Sequence, residues 1–178
     1  GIVFVRACEQ ANTQGVRLLA HRIIPVLLAR GSALVKGERF QSWRSVGHVL
    51  QAAQIHAARQ VDEVLILDIG ATPAGRGPDF DAIRELTRDC FCPITVGGGV
   101  RTIDDAKALL RAGADKVAGH TGGRWVIKDI AYRCGRQAVV AVVDYHDKWI
   151  GTAQLAKQYE IAGAGEILLQ AVDRDGTM

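Results

Sequence analysis

Asp144 is the residue of this chain best placed for proton transfer. It closes the run AVVAVVD, residues 138–144. A carboxylate at the end of an apolar strand is costly to bury unless it is used or paired. Desolvation favours the neutral carboxyl, which suits a general acid or base. The other reading is a cap on the next loop. A second set of residues is suited to anions. The segment VGGGV (96–100) brings bare backbone amides to one strand end, His120-Thr121 closes another, and Asp175-Gly176-Thr177 follows a third. Backbone N–H groups in such loops accept phosphate. Two clusters suit a ligand with two phosphates, unless they are only tight turns. A third pattern lies at the opposite strand ends, where Arg22, Glu63, Lys116 and Glu166 each stand at or beside the start of an apolar run. Gathered around one axis they form a neutral ring, which is expensive unless its charges pair. Such a ring either stabilises the fold or gates passage through it.

Other chemistries have less support. Cys8, Cys90, Cys92 and Cys134 match no zinc or redox signature, and read as reduced, half-buried thiols of a cytoplasmic protein. The five histidines form no metal-spaced pair, so no metal site is expected. The net charge of +3 is interspersed along the chain, which argues against nucleic acid as a partner. No apolar run approaches the ~18 residues of a membrane span, and the first residues do not read as a secretory signal. With 178 residues, 48% of them apolar, the chain has enough for one domain with a real core.

The elements that must position these groups alternate along the chain. Apolar, β-branched runs lie at 22–28, 63–69, 93–99, 115–119, 137–144 and 166–172. Continuous rather than alternating apolarity marks strands buried on both faces of a parallel sheet. Between them, FDAIRELTRDC (80–90) places Phe80, Ile83 and Leu86 on one helical face. Thr102 and Asp105 form a capping-box pattern, and the helix they start ends at Gly113. A further helix ends near Gly163 and Gly165, and residues 46–60 read as another. This cadence means right-handed βαβ units, in a doubly wound sheet or part of a barrel. The VGGGV segment lacks the GxGxxG dinucleotide fingerprint, which favours the barrel. A weak internal repeat, DEVLILDIGAT against GEILLQAVDRDGT, aligns Glu63 with Glu166 and suits duplicated half-barrels. In a barrel the site forms at the C-terminal strand ends.

The segments RIIPVLL, LVKGERF (34–40), DEVLILDI, ITVGGGVRT, AGADKV, QAVVAVVD and GAGEILLQAVDRDGT resemble the cyclase subunit of imidazole-glycerol-phosphate synthase. The resemblance runs from about residue 18 to residue 178, leaving 1–17 as an unmatched N-terminal extension. It implies a (β/α)8 barrel of the ribulose-phosphate-binding type, acting without a cofactor in histidine biosynthesis. A glutaminase partner at the N-terminal face would supply ammonia. The ammonia would cross the barrel and attack a bis-phosphorylated ribonucleotide, giving imidazole glycerol phosphate. By position, Asp144 matches one of two catalytic aspartates and Lys36 a loop lysine near the substrate. Gly99, His120 and Thr121 match one phosphate site, with His120 where the family usually has Asn. Asp175 and Gly176 match part of the other. Arg22, Glu63, Lys116 and Glu166 match the family's ammonia gate.

Three departures modify the expectation. Leu28 stands where the second catalytic aspartate belongs, and leucine transfers no proton. The loop after Asp144 is shorter than the family's. About six βα units are present where a full barrel of roughly 250 residues has eight, so an incomplete barrel, a fragment, is expected. Its first and sixth strands would expose unpaired edges, although GIVFVRA (1–7) can add a short strand. The Leu28 change also resembles a paralogous group linked to amidino-sugar formation for surface polysaccharides, in which the chain would conduct ammonia without cyclising. A plain phosphate-binding module is the remaining alternative.

Overall fold

The computed structural model describes residues 2–3, 5–7, 22–120, 123–146 and 151–177. Its strands are β1 (Ile2–Val3), β2 (Val5–Ala7), β3 (Ile24–Arg30), β4 (Ala33–Glu38), β5 (Gln41–His48), β6 (Val64–Asp68), β7 (Ile94–Gly97), β8 (Lys116–His120), β9 (Val139–Tyr145) and β10 (Glu166–Ala171). The helices are α1 (Val49–Ala58), α2 (Phe80–Asp89), α3 (Ile103–Arg111), α4 (Arg124–Cys134) and α5 (Thr152–Ala162). Strands β3, β6, β7, β8, β9 and β10 lie side by side in that order, every neighbour parallel. The apolar runs predict the parallel strands, and the partial α/β barrel is the one of the two expected arrangements that the glycine segment and the resemblance favour.

Residues that alternate along these strands sort into two cores, because successive side chains of a strand point to opposite faces. Leu27, Ala29, Val64, Ile66, Ile94, Val96, Val117, Val139, Ala141 and Val143 pack outward against the helices. Ile24, Val26, Leu65, Ala118, Val140, Val142 and Leu168 form a separate inner cluster, which Leu28 and Leu67 join. Burying one such side chain stabilises the fold by roughly 1.5–3 kcal/mol.

Three features differ from the sequence expectation. Residues 46–48 are strand, and the helix occupies only 49–58. They end an antiparallel hairpin of β4 and β5 that extends the sheet from β3. Helix α4 carries no clear sequence signal, since β-branched Val126, Ile127 and Ile130 blur its pattern and no side chain caps it. Its buried positions are Ile127 and Ile130, three apart on one face.

The third feature concerns the edges. The first and sixth parallel strands are not left bare. Strand β1 pairs antiparallel with β3 at Ile24 and Pro25, and β2 pairs antiparallel with β10 from Glu166 to Leu168. The short extra strand therefore covers the N-terminal part of both edges.

The capping box of α3 is present. Thr102 accepts from the Asp105 amide (3.1 Å), and Asp105 accepts from the Thr102 amide (2.9 Å). Thr102→Ala is expected to cost about 1 kcal/mol, read as a lowered urea midpoint at unchanged slope. Among the described residues, no helix is long and apolar enough to cross a membrane.

Candidate functional site

Four charged side chains close the N-terminal mouth. Lys116 Nζ lies 2.6 Å from Glu63 Oε2 and 2.9 Å from Glu166 Oε1. Arg22 reaches the same two carboxylates, at 3.5 Å and 2.9 Å. Cation and anion thus alternate around a closed ring of four, and Thr95 donates to Glu63 Oε1 from within the barrel wall. The sequence places each group at a strand start with inward parity: Glu63 precedes inward Leu65, Lys116 precedes Ala118, and Glu166 precedes Leu168. Glu63 is almost fully buried, at 2% exposure, a position tolerable only because both cations reach it. The ring proposed from sequence is therefore assembled, although its members stand at or just before the starts of strands far apart in the chain.

Above the ring lies the inner apolar cluster, and above that a cleft of about 720 Å³. Leu28, Leu67, Ala118 and Val142 belong to both, so the apolar interior runs from the ring to the cleft floor. Asp144 lines the cleft beside Gln170, its register partner on β10. Leu28 lines it too, backed by its register partner Leu67. One wall of the cleft thus carries a carboxylate, and the position expected to carry a second is aliphatic.

The glycine segment performs two jobs. Gly98 lines the cleft at φ +108° and lies against the backbone of Asp68. Gly99, at φ +72°, is packed instead under the turn containing Ala71, Arg76 and Gly77. Asp68 itself is tied down. It accepts from Arg76 at 2.5 Å and from the Gly70 amide at 2.9 Å.

The other expected residues are scattered. Lys36 is exposed on β4, opposite Arg44, and is not among the described residues lining the cleft. His120 ends β8, but its side chain and all of Thr121 lie outside the described residues. Asp175 and Gly176 sit against the hairpin turn: the Arg39 amide donates to the Asp175 carbonyl at 2.8 Å, and Gly176 (φ +70°) packs on Gly37. This segment therefore holds the β4–β5 hairpin over the barrel top. The hairpin in turn contributes Phe40 and Trp43 to the cleft, stacked 6.2 Å apart, with Arg30 5.7 Å from the Trp43 ring.

Phe40, Trp43, Arg30, Arg101 and Gln170 all line the cleft without being singled out by sequence. Gln170 was within reach: counting by twos from Glu166 passes inward Leu168 and arrives at it. The hairpin residues carried no such signal. Among the described residues, no group of three or more His, Cys, Asp or Glu is arranged to hold a metal ion.

Comparison with known proteins agrees with this architecture. A family model described as "Histidine biosynthesis protein" matches residues 22–178. A protein of Campylobacter jejuni subsp. jejuni serotype O:2, named "Putative imidazole glycerol phosphate synthase subunit hisF2", is 36% identical over 178 residues, covering 89% of this chain and 70% of that protein. The six-stranded parallel core, its ring and the two matches lead to one assignment: the chain belongs to the histidine biosynthesis protein family, in the group of the imidazole-glycerol-phosphate synthase cyclase subunit.

Proposed function

We propose that the chain is the ammonia-accepting subunit of a glutamine amidotransferase, taking ammonia at the ringed mouth and delivering it to a phosphorylated ribonucleotide in the cleft. The observation that carries this reading is the continuity of ring, apolar interior and cleft. A neutral small molecule crosses such an interior more cheaply than an ion does, because apolar surroundings penalise charge far more than neutral polarity. The ring therefore favours uncharged ammonia over ammonium beyond it. Glu166 Oε2 is buried without a hydrogen-bond partner among the described residues, and an N–H group passing the ring would satisfy it. A glutaminase docked on this face would release its ammonia directly into the mouth.

At the far end, Asp144 holds or takes a proton as the amine attacks. Cyclisation to imidazole glycerol phosphate calls for acid and base together, and Leu28 supplies neither. This one position favours a second reading, in which the subunit conducts ammonia for amidination of a sugar and does not cyclise.

Leu28→Asp separates the two. The full protein is given an ammonium salt and the open-chain bis-phosphorylated ribonucleotide, and imidazole glycerol phosphate is measured. If the site is a cyclase weakened at one position, the variant gains at least ~10²-fold, the usual contribution of a positioned acid–base group. No gain, in a variant that still binds the ribonucleotide, removes cyclisation and leaves ammonia conduction. Failure to bind any phosphorylated ribonucleotide removes the cyclase reading and leaves only ammonia conduction.

A further inference from the structure

Cys90 and Cys92 flank Phe91 in the connection from α2 to β7. The turn throws the Phe91 ring outward, where it is 96% exposed. It brings the two sulfurs to 3.5 Å on the inner side. Cys90 is 5% exposed, packs in the outer core and donates to the Ala53 carbonyl of α1 at 3.9 Å. Cys92 is partly buried and packs against the same core. A disulfide needs sulfurs about 2.05 Å apart, so closing this pair asks for a shift of roughly an ångström and a half, within reach of a side-chain rotation.

We propose that Cys90 and Cys92 are an oxidisable dithiol, closed to an intramolecular bridge by a low-molecular-weight disulfide. The Cys92 thiolate attacks one sulfur of the small disulfide and expels the other as a thiol, leaving a mixed disulfide on Cys92. The Cys90 thiolate then attacks Cys92 Sγ and expels the second small thiol. Two protein thiols lose two protons and two electrons, and the small disulfide gains both. Cys92 goes first because it is the more accessible of the two. Burial, with the hydrogen bond that the Cys92 thiol donates to Cys90, pushes the Cys92 thiol up to about 11. The thiolate, not the thiol, is the nucleophile, so the first step accelerates about tenfold per pH unit across the neutral to mildly alkaline range. The bridge would fix the joint leading into β7, whose C-terminal end carries the glycine segment of the cleft.

The test incubates the full protein, without denaturant, with glutathione disulfide at mildly alkaline pH, and reads the peptide spanning residues 90–92 by mass spectrometry without reduction. The expected product has lost two hydrogen masses and carries no glutathione. In Cys90→Ser the reaction stops at a stable glutathione adduct on Cys92, and in Cys92→Ser it leaves Cys90 unmodified. A wild-type peptide that stays fully reduced, or accumulates only the glutathione adduct, overturns the proposal. So does a bridge that forms only after the protein is unfolded.

Discussion

Lys116→Met should destabilise the protein by about 3 kcal/mol, the low end of what is lost when one partner of a buried ion pair is removed. Lys116 bridges Glu63 and Glu166 at 2.6 and 2.9 Å. Without it, two carboxylates face each other across the barrel mouth with Arg22 as their shared cation. Arg22 cannot take over. It is more exposed than Lys116 and sits 3.5 Å from Glu63. Methionine preserves the apolar stem, so the loss reports charge rather than packing. The measurement is the urea midpoint, with the slope unchanged. Adding Glu63→Gln to Lys116→Met should restore part of the loss, because the uncompensated charge is then gone. Arg22→Met should cost about 1 kcal/mol or less, as expected of an ion pair nearer solvent. A Lys116→Met midpoint equal to wild type would mean that the ring contributes nothing to the fold. In a complex with a glutaminase, the same variant is expected to uncouple glutamine hydrolysis from ammonia delivery. Stability lost with coupling intact would leave the ring a structural role only.

Gly98→Ala should be at least as damaging, at about 3 kcal/mol, and should also abolish ligand binding in the cleft. Two penalties add. At φ +108° a side chain is strained wherever it points, which costs of order 1–3 kcal/mol. The new Cβ would also overlap the Asp68 carbonyl oxygen and lie 2.9 Å from Asp68 Cα. These are backbone atoms and cannot swing aside. Asp68 is further pinned by Arg76 and the Gly70 amide, so any displacement spreads to the neighbouring turn. Gly75→Ala provides the control. Gly75 has φ +68° but open space around it, so that variant loses only the conformational part, roughly 1–2 kcal/mol. Melting temperatures of the two variants separate strain from overlap. Equal values would show that the packing of Gly98 on Asp68 does not matter.

The residues explain how far the sequence could be read. The parallel strands were legible because burial on both faces makes each one continuously apolar. The ring members were legible because a charge at the start of such a strand has few other uses. The α3 cap was legible because Thr102 and Asp105 are local partners. What was lost depended on distant contacts. Val46 stands at helical spacing from Val49 and Leu50, yet pairing with β4 makes residues 46–48 strand. The hairpin tip is held by Asp175 and Gly176, more than a hundred residues away, and its aromatic contribution to the cleft follows from that hold. Asp175 and Gly176 were expected to serve a phosphate, whereas here their backbone meets the hairpin.

By itself, then, the chain determined an α/β succession of buried strands and capped helices, the inward parity of Glu63, Lys116 and Glu166, and a leucine at position 28, where the resemblance leads one to expect a carboxylate. Periodicity and local capping are written in neighbouring residues, so they need no fold to be read. Only the tertiary structure decided that four charges at or just before the starts of four strands close into one alternating ring, that Gln170 and a hairpin tryptophan share the cleft with Asp144, and that residues 2–3 and 5–7 pair along the two edges of the parallel sheet. Each of these is a contact between segments far apart in sequence. No local pattern encodes such contacts, because they form only when the whole sheet has curled.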